Sequence, residues 1–253
     1  MKRVVTAAVA IPLVLAITWF APNWVFAFVV GLVAALAVEE FLSLGAKRGI
    51  GRPGRWFLAP AVLVTASFVG GTGWGMTSLA LSALALLTVT IFSGPVETAL
   101  GRVAIGLSSL LYCSVTLGFL VPMPRELIFV LLAVIWVGDS AAYCAGRAFG
   151  RHPLAPKVSP KKTVEGAIAG LIGSVIAGIA VGVWLLDEPW LNLAIISTVT
   201  AVAGQLGDLA ESVLKRSTGV KDSSSILPGH GGILDRLDSL FFATPVFYWF
   251  FNS

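Results

Sequence analysis

The 253-residue sequence predicts an all-α, polytopic integral membrane protein with about nine transmembrane helices and a cytoplasmic N-terminus. Three observations carry that expectation. Apolar residues make up 57% of the chain, and its mean hydropathy is +0.92. Apolar runs of roughly 17–20 residues recur along it, each long enough at about 1.5 Å per residue to cross a hydrocarbon core of about 30 Å. The 17 Lys and Arg residues also segregate: when the runs alternate across a bilayer, only Arg125 falls on the far side. In lipid each segment must satisfy its own backbone polar groups, so the spans are helices. The alternation of a membrane β-barrel is absent.

The runs lie at about 4–20, 24–44, 56–71, 76–93, 103–121, 127–146, 167–186, 190–208 and 235–252. Lys2 and Arg3 precede the first as in a signal peptide, but more spans follow and no small-residue cleavage site stands out. It reads as a retained helix. The second closes on Glu39 and Glu40, which read first as solvated helix-end acids and second as functional ones. Cys113 and Cys144 lie inside spans and far apart, the pattern of buried, inert thiols and not of a disulfide framework. Residues 1–126 form a bland scaffold that accommodates lipid. Residues 127–253 carry the chemistry, with cytoplasmic loops at 147–166 and 215–234. The net charge of +4 then belongs to a cytoplasmic face of the cell membrane. Nucleic acid is a poor partner for it; anionic headgroups and phosphorylated substrates suit it better.

Ionisable residues within spans are expensive and therefore functional candidates. Asp139 sits in the sixth run, Asp208 and Glu211 in the eighth, and Asp235 and Asp238 open the ninth. Each falls toward the cytoplasmic end of its helix. Asp208, Glu211, Ser212 and Lys215 share one helical stripe, and Asp235 and Asp238 share another. Carboxylates converging beside Lys and Arg suit a hard cation such as Mg²⁺, which takes one or two protein carboxylates and binds substrate phosphates. The bland alternative is that each acid only pairs with a nearby base at the interface.

The basic loops carry their own pattern. In VSPKKTVEG, Thr163 reads as an N-cap with Glu165 in the first helical turn, beside Lys161 and Lys162. A helix N-terminus next to two lysines is a seat for phosphate. In PGHGG, Gly229, Gly231 and Gly232 could form an anion-binding nest around His230. His230 reads equally as a base, a phosphate donor or a turn residue.

Residues 212–238, SVLKRSTGVKDSSSILPGHGGILDRLD, closely resemble the signature of the phosphatidate cytidylyltransferases, or CDP-diacylglycerol synthases. The positions that carry it are Ser212, Lys215, Arg216, Lys221, Asp222, His230, Gly231, Gly232, Asp235, Arg236 and Asp238. A second block, GDSAAYCAGRAFGRHPLAPKVSPKKTVEG, is similar to the family's upstream region and contributes Asp139, Tyr143, Ser159, Lys161 and Lys162. Ala141 stands where glycine is more usual. The resemblance covers roughly 138–245.

The resemblance implies transfer of a cytidylyl group from CTP to phosphatidate in phospholipid biosynthesis, with Mg²⁺ and a helical, usually dimeric protein. It implies Asp208 and Asp235 as metal ligands, with Asp139 and Lys221 also catalytic and the identity of a second cation open. Tyr143, Ser159, Lys161, Lys162, Lys215, Arg216, His230, Gly231, Gly232 and Arg236 are assigned to substrate. Glu211, Ser212, Asp222 and Asp238 are assigned to orienting them. Two rival readings are a CTP-transferase acting on another lipid phosphate, ether or polyprenyl, and a transporter of an anionic substrate.

Overall fold

The computed structural model describes the backbone of residues 2–224 and 231–252, with side chains from Ala8 onward. Nine helices lie among these residues, each overlapping one of the nine expected runs. They are α1 (Lys2–Phe20), α2 (Asn23–Ala46), α3 (Leu58–Ser67, with a 3₁₀ turn at each end), α4 (Thr72–Phe92), α5 (Val96–Gly118), α6 (Arg125–Phe149), α7 (Val164–Leu185), α8 (Trp190–Ser217) and α9 (Leu234–Asn252). Six of them, α2 and α4–α8, are long and apolar enough to cross a membrane. Residues 8–20 and 55–70 form shorter apolar helices.

The chain divides into two compact units. One comprises residues 1–122 and 217–237, the other 123–216 and 238–253. In the first, α2 packs on α3 with Gly31 against the Val62 backbone, and Phe57, Phe68 and Leu42 are fully enclosed. Helix α5 passes through a π-helical stretch at Leu110–Val115, and Thr65 Oγ1 reaches the Ser114 carbonyl at 3.0 Å. That bond satisfies a backbone group at an irregular turn.

The second unit is built on small residues. A methyl group added at Gly166 would lie 2.8 Å from the Ala142 carbonyl oxygen, and one at Gly170 would lie 2.9 Å from Ala142 Cβ. Helices α6 and α7 therefore meet nearly backbone to backbone. Farther along α7, Gly178 faces Ser197 and Gly182 faces Leu193, both on α8.

Between α6 and α7 the expected loop contains an element the sequence reading missed. Pro153–Ala155 and Ser159–Thr163 form an antiparallel hairpin, with Pro153 opposite Thr163 and Ala155 opposite Ser159. Its prolines forbid a continuing helix, and its alternation is too short to read as strand. Helix α7 starts as expected: Thr163 Oγ1 accepts from the Gly166 N–H at 3.1 Å, and Glu165 lies in the first turn. Glu165 also ties down the hairpin. Its Oε2 accepts from the Arg151 and His152 N–H groups at 3.0 and 3.3 Å, and its Oε1 lies 2.6 Å from His152 Nδ1.

Candidate active site

Within the second unit, α6, the hairpin, α7 and α8 enclose a cavity of about 640 Å³. Its polar lining comprises Asp139, Tyr143 and Arg147 from α6, Lys161, Lys162 and Thr163 from the hairpin, and Gln205 and Asp208 from α8. Ala142, Gly146, Gly166 and Ala167 form its apolar side. The close approach of α6 to α7 leaves room here only because no larger side chain intervenes. A mostly apolar concavity with a few convergent polar groups is the usual form of a small-molecule site.

Lys162 forms an ion pair with Asp208. Its ammonium is also within electrostatic reach of Asp139 and of Asp238, and Asp208 acts on both of those carboxylates. Helices α8 and α9 approach closely at this point: a Cβ on Gly207 would lie 2.5 Å from the Asp238 carbonyl oxygen. Three carboxylates from three helices thus lie within the field of one lysine, which is ion-paired with Asp208. Among the described residues no group of three or more His, Cys, Asp or Glu is arranged to hold a metal by itself. The donor set nevertheless suits Mg²⁺: oxygen ligands only, negative charge in excess, and coordination to be completed by water and phosphate.

The other predicted residues of this unit lie on the same elements. Ser159 begins the second strand, half-buried. Glu211 and Ser212 are buried on α8, and Lys215 Nζ contacts Glu211 Oε2 at 2.5 Å, one helical turn away. Arg216 Nε donates to the Val158 carbonyl at 3.3 Å, joining the end of α8 to the hairpin turn.

The first unit holds the remaining part of the signature. Lys221 and Asp222 are exposed, and Arg236 is exposed in the first turn of α9. Asp235 Oδ2 accepts from the Gly232 N–H at 2.7 Å, from the Ser223 N–H at 3.0 Å, and lies 2.9 Å from Ser223 Oγ. Gly231 has φ +83°, a left-handed conformation suited to glycine, and a Cβ there would lie 2.6 Å from Asp235 Oδ2. The Gly232 N–H thus donates to the carboxylate of Asp235. His230 and Gly229 lie outside the described residues.

Two expectations are corrected. Glu40 is not a solvated helix-end acid: it is 2% exposed and accepts four hydrogen bonds, from Ser224 Oγ (2.6 Å), Ile233 N–H (2.9 Å), Ser223 Oγ (2.8 Å) and Leu234 N–H (2.8 Å). Its neighbour Glu39 is the half-exposed one, paired with Arg52 at 2.9 Å. Cys113 is buried, but Cys144 is exposed on α6. Sequence reasoning also missed Gln205, whose Nε2 donates to the Ala167 carbonyl at 3.0 Å inside the cavity. A single glutamine three residues before Asp208, on the same helical stripe, was its only signal.

The profile of the cytidylyltransferase family matches residues 1–253. A phosphatidate cytidylyltransferase of Pseudomonas aeruginosa is 35% identical over 256 residues, covering 97% of this chain and 94% of its own. One from Staphylococcus haemolyticus is 36% identical over 254 residues, 96% of each chain. One from Bacillus subtilis is 48% identical over 123 residues, 48% of this chain and 46% of its own, so that this match spans under half of either. With the family profile and two relatives matching across nearly its whole length, this chain belongs to the cytidylyltransferase family.

Proposed function

We propose that the protein transfers the cytidylyl group of CTP to phosphatidate, forming CDP-diacylglycerol and releasing pyrophosphate. The observation that carries this is the cavity in which Arg147, Lys161 and Lys162 stand beside Asp139 and Asp208. Cations suit phosphate oxygens, carboxylates suit a bridging metal, and one site offering both suits a nucleotide triphosphate.

The chemistry requires little from a base. A phosphomonoester has a second pKa of about 6, so phosphatidate is already largely dianionic near pH 7. One of its oxygens bonds to the α-phosphorus of CTP, and the bond from that phosphorus to the β-phosphate oxygen breaks. Pyrophosphate departs with the electron pair. What the protein must supply is alignment of two polyanions and compensation of their charge. In this reading Lys161, Lys162 and Arg147 hold phosphate oxygens in the cavity, and Tyr143 offers its hydroxyl at the same wall. Lys215, Arg216, Lys221 and Arg236 are assigned to substrate phosphates on the strength of the signature alone.

On the assignment that follows from the signature, Asp208 and Asp235 are the residues that would hold Mg²⁺. Support lies within each unit separately. Asp208 sits among carboxylates within the field of one lysine, and Asp235 has one oxygen fixed by donors from its own loop. Ligating carboxylates are commonly oriented by such outer hydrogen bonds. Mg²⁺ bound there supplies charge neutralisation for the phosphates and the departing pyrophosphate.

All nine helices crossing, with the N-terminus and the site on the cytoplasmic side, is part of the same proposal. At about 1.5 Å per residue, Asp208 lies some 27 Å along α8 from Trp190, near the far rim of a core of about 30 Å. Residues 127–253 then form the catalytic region and residues 1–126 the lipid scaffold. A homodimer remains an expectation of the family resemblance, since Gly166, Gly170, Gly178 and Gly182 are used within the chain. The test is incubation of purified protein with CTP, Mg²⁺ and a panel of lipid phosphates. CDP-diacylglycerol from phosphatidate supports the reading; preference for an ether or polyprenyl phosphate redirects it. Anion flux into sealed vesicles without consumption of CTP rejects it.

A further inference from the structure

The arrangement around Glu40 exceeds what anchoring a helix requires. Glu40 lies near the end of α2 and is 2% exposed. A buried carboxylate must find donors or a countercharge, and this one takes two donors on each oxygen. Oε1 accepts from Ser224 Oγ and Ile233 N–H, and Oε2 accepts from Ser223 Oγ and Leu234 N–H, all within 2.9 Å. Ile233 immediately precedes α9 and Leu234 opens it, where N–H groups lack intrahelical partners and the helix dipole favours an anion. Glu40 therefore caps α9 from another helix. Hydrogen bonds to an ionised acceptor are roughly twice as strong as neutral ones, so the contact is rigid.

The cap alone does not account for Ser223. Its Oγ lies 2.8 Å from Glu40 Oε2 and 2.9 Å from Asp235 Oδ2, so one hydroxyl, with a single proton to donate, bridges two carboxylate oxygens. Placing two acids on one serine opposes their like charges. The backbone is shaped to the same pair: a Cβ on Gly232 would fall onto both Ser223 Oγ and Glu40 Oε2. Glu40 thus fixes Ser223 and the start of α9 together, and these are the groups that fix Asp235.

We infer that Glu40 is a positioning residue of the cytidylyl-transfer site, holding the Asp235 carboxylate in its metal-binding orientation through Ser223. The inference rests on the reading of Asp235 as an Mg²⁺ ligand. Glu40→Gln keeps the shape but replaces an acceptor oxygen with a donor NH₂, which faces a fixed backbone N–H whichever way the amide turns. Ser223→Ala removes the bridge and leaves Glu40 in place.

The test is a Mn²⁺ titration of the full-length protein in nanodiscs, with free Mn²⁺ read by electron paramagnetic resonance, alongside Mg²⁺-dependent CDP-lipid synthesis. Loss of an outer-shell partner typically weakens metal affinity about 10–100-fold. Each variant is expected to weaken Mn²⁺ binding within that range and to raise the Mg²⁺ half-activation concentration in parallel. The double variant is expected to lose little more than the worse single one, because both break the same chain. Wild-type Mn²⁺ affinity in either folded variant, or losses that add in full, overturns the inference. If Glu40→Gln fails to fold, Ser223→Ala decides alone. A wild-type protein that binds no Mn²⁺ and makes no CDP-lipid sinks the functional reading instead, a separate outcome.

Discussion

Glu40 and Asp235 are joined through a single hydroxyl: Ser223 Oγ lies 2.8 Å from the first carboxylate and 2.9 Å from the second. The end of the second helix is thereby tied to the opening turn of the last. The loop between Ser223 and Asp235 contains the Gly-Gly pair of the signature, and the pair's close packing on both acids gives those glycines a physical reason.

That packing makes Gly232→Ala a sharp probe. The added methyl would overlap Ser223 Oγ and Glu40 Oε2, and overpacking of this kind costs about 1–3 kcal/mol. A lower thermal midpoint and faster amide exchange at Ser223, Ile233 and Leu234 are expected. Unchanged exchange at those three amides would show that the loop does not pack on Glu40.

Lys162 is ion-paired with Asp208 and lies within electrostatic reach of Asp139 and Asp238. Lys162→Ala should lower turnover about 10²-fold, the typical loss for one preorganised electrostatic contact. It should also leave three carboxylates repelling one another, so Mg²⁺ should raise the variant's thermal midpoint more than the wild type's. Equal Mg²⁺ shifts in the two proteins would contradict the arrangement around Lys162.

Gly170→Leu tests the wall of the cavity. Even a Cβ at this position lies 2.9 Å from Ala142 Cβ, and the rest of a leucine would push α7 away from α6. The expected result is destabilisation of at least about 1–3 kcal/mol together with lost CDP-lipid synthesis. Wild-type stability and rate would mean that the two helices are not held at backbone distance.

His230→Gln separates catalysis by a base from charge compensation. Because the attacking phosphate is already a dianion near neutrality, the variant should be slower but should keep the shape of the wild-type pH–rate profile. Loss of an acidic limb that only the wild type shows would restore His230 as a general base.

Part of the candidate site was legible because charge is conspicuous in an apolar sequence. Asp139, Asp208 and Asp238 stood out as acids in apolar runs, and the structure brings all three to Lys162. Thr163 announced the start of α7 through a short polar pattern that needs no tertiary information. Glu40 was opaque for the opposite reason. A Glu-Glu pair at a helix end looks the same whether water or a distant loop supplies the donors, and only the chain's return at Ser223 and Leu234 decides it. The hairpin at 153–163 was hidden by its brevity, and Gln205 by the ordinariness of one glutamine on a helix.

The central claim is tested most directly with CTP labelled at its α-phosphorus, supplied with Mg²⁺ to the protein in phosphatidate-containing liposomes. The account predicts that the label enters CDP-diacylglycerol with one pyrophosphate released per lipid formed. It also predicts that folded Asp208→Asn loses at least about 10²-fold of that rate. Label recovered as CMP without CDP-lipid, or Asp208→Asn turning over like the wild type, would contradict it.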